Sequence, residues 1–567
     1  MFTKRERSGF LCRYPHISHK NLFTIIIIRM ASHAATTAQT TIRAPKGLKI
    51  KNREDFEFYK DVFDLVKEEE EEEEEDPYLK TMSAVKYSVN GQWVKSNTLK
   101  QCAVLNPSEA NCELFCFQAC SRDECDEAFK GAKEAQKLWR RTALYKRKEI
   151  LKETARLMRK HWEPIANCLL LECAKTRRDA KKEVMRTADL IEYTAEEGVR
   201  FLSRGELITS DAFPGNERDK ICQSSRVPVG VVLAIPPFNY PVNLAASKLA
   251  PALMSGNAVV VKPPTQGCVA GLLMVQCFQK AGLPKGILQA VTGRGGEIGD
   301  YLTQHSYVNM ISFTGGDVGL TLAKNVSMIP LQMELGGKDV CVVFPDADLE
   351  RASKAIVSGG FSYSGQRCTA VKLVVAFEEI ADELTKLVCE KMTKLKVGSP
   401  EDEDVSITAV ISKSSADSIE KLVIDAREKG ARLCQEWKRK DNLIWPLYVD
   451  NVTKNMDLFF VEPFGPVVPQ MRVSSREEAI ACVNEQRYGL QGCVFTRDID
   501  NAISFADEME TGTVQINGQP SRGPDHFPFQ GVKDSGIGSA STLNSFQLMT
   551  KVKTTVINLK EASYTLA

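Results

Sequence analysis

Short, wholly apolar runs alternate with helix-like stretches through the middle of this 567-residue chain. Val229 to Ile235 is one such run, Ala258 to Val261 (AVVV) a second, and Ile287 to Val291 a third. Between them, 242–254 and 267–281 read as helices. A strand that is apolar on both faces must be covered on both faces, and intervening helices supply that cover, so the pattern predicts a parallel α/β sheet. A second such stretch follows Glu334, with Asp339 to Phe344 as strand, Leu349 to Gly359 as helix and Ala370 to Phe377 as strand. No internal repeat of fixed period is present. The expected organisation is two α/β lobes, the first opening a nucleotide-type fold.

The 74 basic and 73 acidic side chains leave a formal charge of +1. That balance excludes a chain-wide nucleic-acid surface, which needs a basic excess. It also hides two opposed tails. Residues 1–50 carry nine Lys/Arg and one acid, whereas 51–81 carry five Lys/Arg and fourteen acids. The apolar run Leu22 to Ile28 is far shorter than the ~20 residues a membrane span needs, so no membrane partner is expected. Residues 31–46 are Ala/Thr-rich, basic and acid-free. They read either as an organelle transit peptide or as an unstructured extension. Glu68 to Glu75 is an unbroken glutamate run that repels itself and reads as a solvated linker. Ahead of it, Phe56, Tyr59, Phe63 and Val66 recur at helical spacing and predict a short helix docked on the body.

Seventeen cysteines, an odd number scattered among strands and helices, do not form a disulfide framework and point to a reducing compartment. Cys112, Cys116, Cys120 and Cys125 cluster, but without paired CxxC knuckles, and no metal is expected there. Leu114 to Phe117 reads as strand, and Ser121 with Glu124 forms a capping box for a helix running to Trp139.

Chemistry-bearing residues sit where strands end. Gly295, in Gly293-Arg294-Gly295-Gly296, and Gly315-Gly316 follow strands, where glycine lets a backbone approach a phosphate; each loop alone reads equally as a tight turn. Lys262 ends the AVVV strand, placed for a ribose or phosphate. Cys368 follows Gly365-Gln366-Arg367 in a loop or helix start, where a cation and a helix N-terminus lower a thiol's pKa. Glu334, in ELGGK, supplies a carboxylate base on a glycine-flanked turn. Asn239, in PFNYP, supplies an amide N–H for an oxyanion. Singly, each has a bland reading as buried Cys, surface Glu or turn Asn.

Together, these residues resemble the aldehyde dehydrogenase superfamily, from about Asn106-Pro107 to the C-terminus. The blocks that carry the resemblance are Pro237-Phe238-Asn239-Tyr240-Pro241, Ala250 to Asn257, Lys262-Pro263, Phe313-Thr314-Gly315-Gly316, Glu334-Leu335-Gly336-Gly337, Gly365-Gln366-Arg367-Cys368, Glu462-Pro463-Phe464-Gly465-Pro466, and Phe527 to Gly538. Within the superfamily the chain looks like the plant-type, NADP-dependent, non-phosphorylating branch acting on glyceraldehyde 3-phosphate. Residues 1–105 match poorly, and the glycine motif FTGGDVG is one residue shorter than the common form.

The resemblance implies a mechanism. Cys368 attacks the aldehyde carbon while the Asn239 amide and the Cys368 N–H hold the oxyanion. Hydride leaves to the cofactor, and Glu334 activates the water that hydrolyses the thioester. It assigns Lys262, Thr265, Gly295, Gly315, Gly316, Leu335, Glu462 and Phe464 to the cofactor. Thr265 stands where NAD-using relatives carry a glutamate, which would repel a 2′-phosphate, so NADP is expected over NAD. For a phosphorylated aldehyde, Tyr240, Arg367, Arg522 and Arg200 are the substrate set, Arg200 reading equally as a salt-bridged helix residue.

The implied architecture is a Rossmann-like cofactor domain (82–206 and 230–334), an α/β catalytic domain (335–534), and a β-arm with C-terminal segment (207–229 and 535–567), preceded by an extension (1–81). The arm implies dimers that pair into a homotetramer. A cytoplasmic residence is expected, or a plastid or other organelle if 31–46 act as a transit peptide. Two other readings stay open: an aldehyde dehydrogenase for a semialdehyde or betaine aldehyde, and a silent protein that kept the fold. The intact Cys368, Glu334 and Asn239 argue against the last.

Overall fold

The computed structural model describes residues 47–50, 52–64, 84–109, 112–216 and 218–560. The run Leu22 to Ile28, the segment 31–46 and the glutamate run lie outside the described residues. The first two apolar runs become the centre of an eight-stranded sheet. Its parallel core comprises β1 (Val231–Ile235), β2 (Ala258–Val261), β3 (Leu288–Ala290), β4 (Met310–Thr314) and β5 (Leu331–Glu334), in the order β5-β4-β1-β2-β3. Gly536–Ile537 caps one edge antiparallel, and the hairpin Tyr87–Val89/Gln92–Val94 caps the other. All four side chains of β2 are buried. Full burial of such a valine contributes roughly 1.5–3 kcal/mol, and its β-branched carbon favours the extended backbone.

The stretch after Glu334 forms a second, seven-stranded sheet. It holds β6 (Asp339–Val343), β7 (Val371–Phe377), β8 (Leu447–Asp450), β9 (Val467–Val473), β10 (Gln491–Phe495) and β11 (Thr513–Ile516), all parallel, in the order β8-β9-β7-β6-β10-β11. Arg432–Leu433 adds an antiparallel edge to β8. A separate three-stranded sheet is built from 205–209, 220–228 and 550–558, the last two paired over nine residues.

Four helices position the site, α1 (Arg177–Leu202), α2 (Asn243–Met254), α3 (Gly295–Thr303) and α4 (Leu349–Phe361); α5 (Glu378–Met392) packs on the seven-stranded sheet. The helix Arg122–Trp139 starts on the capping box expected at Ser121 and Glu124. The short N-terminal helix is Arg53–Tyr59, and Phe56, Tyr59 and Phe63 are buried against the body; Val66 lies outside the described residues. Its Asp55 bonds His161 Nδ1 at 2.6 Å, and the Tyr59 hydroxyl donates to the His161 carbonyl at 2.9 Å. Cys120 contacts the Thr292 hydroxyl at 3.7 Å, and Cys125 is wholly buried. Among the described residues, no helix is long and apolar enough to cross a membrane, and no group of three or more His, Cys, Asp or Glu is arranged to hold a metal.

Candidate active site

In an open parallel sheet, ligands bind beyond the carboxyl ends of the strands. Here β1 ends at Ile235, and the segment after it carries Asn239 into contact with the turn that precedes β7 of the second sheet. Glu334 is the last residue of β5, buried at the strand end rather than carried on the turn itself. Cys368 lies between a 3₁₀ turn (Ser362–Gly365) and β7.

That approach to Cys368 is strained. Tyr363, Ser364 and Gly365 all have left-handed backbone, with φ of 51°, 51° and 72°. Each non-glycine residue held there costs on the order of 1–3 kcal/mol. A Cβ at Gly365 would meet the Gly465 carbonyl oxygen at 2.2 Å, so only glycine fits. Side chains fasten the other two. The Tyr363 hydroxyl donates to the Cys173 carbonyl at 3.1 Å, and the Ser364 hydroxyl bridges the carbonyl and N–H of Thr408, each at 2.9 Å.

The turn brings the expected trio together. The Asn239 Nδ2 donates to the Gln366 carbonyl at 3.0 Å, two residues before Cys368. Glu334 receives two 2.7 Å bonds from Arg522 Nη1 and a 2.9 Å bond from the Thr314 hydroxyl, which itself accepts from Lys248 Nζ at 2.7 Å. Burial alone would raise the Glu334 pKa; Arg522, Lys248 and the hydrogen bonds outweigh it and hold the carboxyl below its ordinary value. Lys248, buried without a carboxylate bonded to it, is pushed down to about 8 by desolvation.

Cys368 departs from expectation. No helix starts at it, since β7 follows, and burial pushes its thiol up to about 11. Lys372 opposes that rise, with Arg522 a smaller help, while Glu334 and Asp339 add to it. The neighbouring cation is therefore Lys372, bonded to the Cys368 carbonyl and paired with Glu462 at 2.8 Å. Arg367 instead donates to the Gly359 carbonyl at 2.6 Å and keeps a buried Nε with no partner.

Beside Cys368 opens a cavity of about 590 Å³ whose wall includes Tyr240, Arg367 and Arg522. Arg200 is not part of it. That side chain lies in the last turn of α1, more than half exposed, and pairs with Glu197 one turn earlier at 2.9 Å, the arrangement that the salt-bridged reading describes. The cations that sequence reasoning missed are Arg178, Lys182 and Arg186, all in the cavity wall. They recur every fourth residue of α1 and so share one helix face; TRRDAKKEVMRT carried that signal. Arg186 is held by Asp525 at 2.7 Å and by the Arg522 carbonyl at 2.7 Å. Lys175 is bonded to Glu183 beneath Tyr240.

Of the residues expected to hold the cofactor, Lys262, Thr265, Gly295, Gly315, Gly316 and Leu335 follow strands of the first sheet, whereas Glu462 and Phe464 precede β9 of the second. Lys262 is buried, its Nζ donating at 2.9 Å to the Pro263 carbonyl; burial lowers its pKa, and no carboxylate bonds it. A buried ammonium without a counter-ion fits an added phosphate. Thr265 is partly exposed nearby in sequence. Gly295 opens α3, and a Cβ at Gly295 or Gly316 would meet nothing, leaving room for a ligand, whereas one at Gly315 would strike the Phe313 ring at 2.7 Å. Glu462 accepts from Lys372; Phe464 packs edge-on to Phe238 at 5.8 Å. Leu335 is buried and fills the space a Cβ on Gly319 would need. The residues present fit a phosphorylated dinucleotide.

A thiol, an amide donor and a carboxylate gathered between two parallel sheets define a cysteine-dependent aldehyde oxidoreductase. The model of the aldehyde dehydrogenase family matches residues 93–555, and the chain belongs to that family. It is 57% identical over 481 residues to the NADP-dependent glyceraldehyde-3-phosphate dehydrogenase of Zea mays, covering 85% of this chain and 96% of the relative. The enzyme of that name from Streptococcus equinus is 46% identical over 475 residues, 84% of this chain and 98% of the relative. The crystal structure of the Bacillus halodurans NADP-dependent glyceraldehyde-3-phosphate dehydrogenase, complexed with NADP, superposes with a TM-score of 0.83 at 46% identity. It covers 84% of this chain and all of the other.

Proposed function

We propose that the chain oxidises glyceraldehyde 3-phosphate to 3-phosphoglycerate with NADP, irreversibly and without phosphate, through a thioester on Cys368. The observation that carries this reading is the cavity that joins Cys368 to Arg178, Lys182, Arg367 and Arg522 in one wall. Such a wall attracts a phosphorylated aldehyde and repels the quaternary ammonium of betaine aldehyde, which disfavours that alternative. The names of the Zea mays and Streptococcus equinus relatives agree. Supplying glyceraldehyde 3-phosphate and NADP in phosphate-free buffer should yield 3-phosphoglycerate; a requirement for added inorganic phosphate, with an acyl phosphate as product, would reject the reading.

In this mechanism the Cys368 thiolate adds to the carbonyl carbon. The Asn239 amide, already fixed on Gln366, turns its second N–H toward the oxyanion together with the Cys368 N–H. NADP, when bound, supplies the hydride acceptor. Glu334 then takes a proton from the water that attacks the thioester. Lys248 and Thr314 orient the carboxylate from behind. Lys262 and Thr265 would hold the adenosine ribose and its phosphate, and Glu462 the nicotinamide ribose.

Thr265→Glu should lower kcat/KM for NADP and shift preference toward NAD, because a carboxylate repels the 2′-phosphate. An unchanged ratio in a two-cofactor assay removes Thr265 from the discrimination. Arg522→Ala should raise KM for the phosphorylated aldehyde far more than for an uncharged one. It also strips Glu334 of its main counter-charge, so the carboxyl pKa rises and the acid limb of the deacylation rate moves to higher pH. Equal KM effects on both aldehydes would make Arg522 a support for Glu334 alone.

The assembly we propose is a homotetramer of paired dimers, joined through the three-stranded sheet. Supporting it, Val552, Val556 and Ile557 are exposed along an open edge strand. Cytoplasmic residence is favoured by sixteen free thiols among the described residues. A plastid or other organelle is the alternative if 31–46 direct it there.

A further inference from the structure

We infer that Cys389 and Cys434 form a redox-active dithiol, an oxidation site at the edge of the seven-stranded sheet whose oxidant is a hydroperoxide. Cys389 sits in the last turn of α5, and Cys434 directly follows the edge strand Arg432–Leu433. Neither belongs to the wall of the substrate cavity. The surroundings are built. The Cys434 N–H donates to the Tyr448 carbonyl at 3.0 Å, and the Gln435 Oε1 accepts the Tyr448 N–H at 2.9 Å. The Gln435 amide is thereby fixed, and its Nε2 donates to Cys389 Sγ at 3.2 Å. The Cys434 thiol, which donates to the Arg432 carbonyl at 3.9 Å, lies against the Cys389 side chain.

The Gln435 donor, the neighbouring Cys434 thiol and the Arg432 charge favour the Cys389 thiolate against burial and the Asp450 carboxylate. The contact holds the Cys389 thiol below its ordinary value and raises that of Cys434. Both side chains are partly exposed. A low-pKa, reachable thiol beside a resolving thiol is the arrangement that peroxide oxidises first. Cys341 and Cys493 are also neighbours, paired across β6 and β10, but are fully buried and unreachable. Cys368, raised to about 11 by burial, is less ionised in the free protein.

The chemistry balances in two steps. The Cys389 thiolate attacks one oxygen of the hydroperoxide and the O–O bond breaks. A sulfenic acid forms, and the departing alkoxide or hydroxide takes a proton from solvent. The Cys434 sulfur then attacks the sulfenic sulfur. Its proton leaves with the displaced hydroxide as water, and the S–S bond closes. Two thiols lose two electrons, and the hydroperoxide is reduced to water and an alcohol, or to two waters. Exchange with an added dithiol reverses the bond.

The test uses the reduced full-length protein treated with near-stoichiometric hydrogen peroxide, then alkylated, digested and mapped by mass spectrometry. A Cys389–Cys434 linked peptide, two hydrogens lighter than the free pair, should accumulate before Cys368 is modified and vanish with dithiothreitol. In Cys434→Ser, Cys389 should stop at a sulfenic acid trapped by dimedone, with the reduced enzyme's activity unchanged. In Cys389→Ser, Cys434 should stay unmodified. Failure to form the linked peptide, or Cys368 reacting ahead of Cys389, would overturn the proposal.

Discussion

Glu334→Gln should release one equivalent of reduced cofactor per active site and then stall. Addition to the aldehyde and hydride departure use Cys368 and Asn239; only hydrolysis of the thioester needs a base. Removing a positioned general base costs typically ~10²–10⁴-fold, so steady-state turnover should fall by that factor while the burst stays near full amplitude. Glutamine keeps the shape and still meets Thr314 and Arg522, so the fold around β5 should hold. Quenched protein should carry the phosphoglyceryl group on Cys368 by mass. A variant with no burst would show that Glu334 is needed before the thioester forms.

Cys368→Ala should lose both the burst and the steady state, with turnover down by at least about 10⁴-fold, because no other side chain supplies the covalent step. The thiol's pH behaviour offers a second reading of the same residue. With its thiol pushed up to about 11 by burial, Cys368 is overwhelmingly protonated in the free protein at neutral pH. Alkylation of Cys368 by iodoacetamide in the absence of ligand should therefore rise with pH across the whole range up to about 11. A plateau near neutrality would mean that the thiol ionises far more easily than its burial allows.

The fold was legible because β1, β2 and β6 are apolar on both faces, a pattern few alternatives accommodate. Asn239, Glu334 and Cys368 were legible as types at strand ends, and the resemblance joined them. The environment of Cys368 was not. Its pKa depends on burial and on Lys372, a residue whose distance from the sulfur no spacing rule fixes, and on a left-handed pair, Tyr363 and Ser364, that ordinary residue preferences oppose. Arg200 stayed ambiguous in the sequence because an arginine in a helix's last turn is satisfied by a glutamate one turn back as readily as by a ligand. Arg178, Lys182 and Arg186 were readable as a stripe but look the same as a solvated helix face until α1 is seen against the cavity.

The Arg522 guanidinium reaches Glu334 across 188 residues of chain, and Asn239 reaches Gln366 across 127. No segment of the polypeptide contains a working fraction of the site. Contacts of such high sequence separation incur their loop-closure entropy before they return any stability, so they form late and slowly. Regain of activity on refolding is thus a reporter of the last long-range docking event, and a chain that has recovered its helices but not its activity is one in which the two sheets have yet to meet.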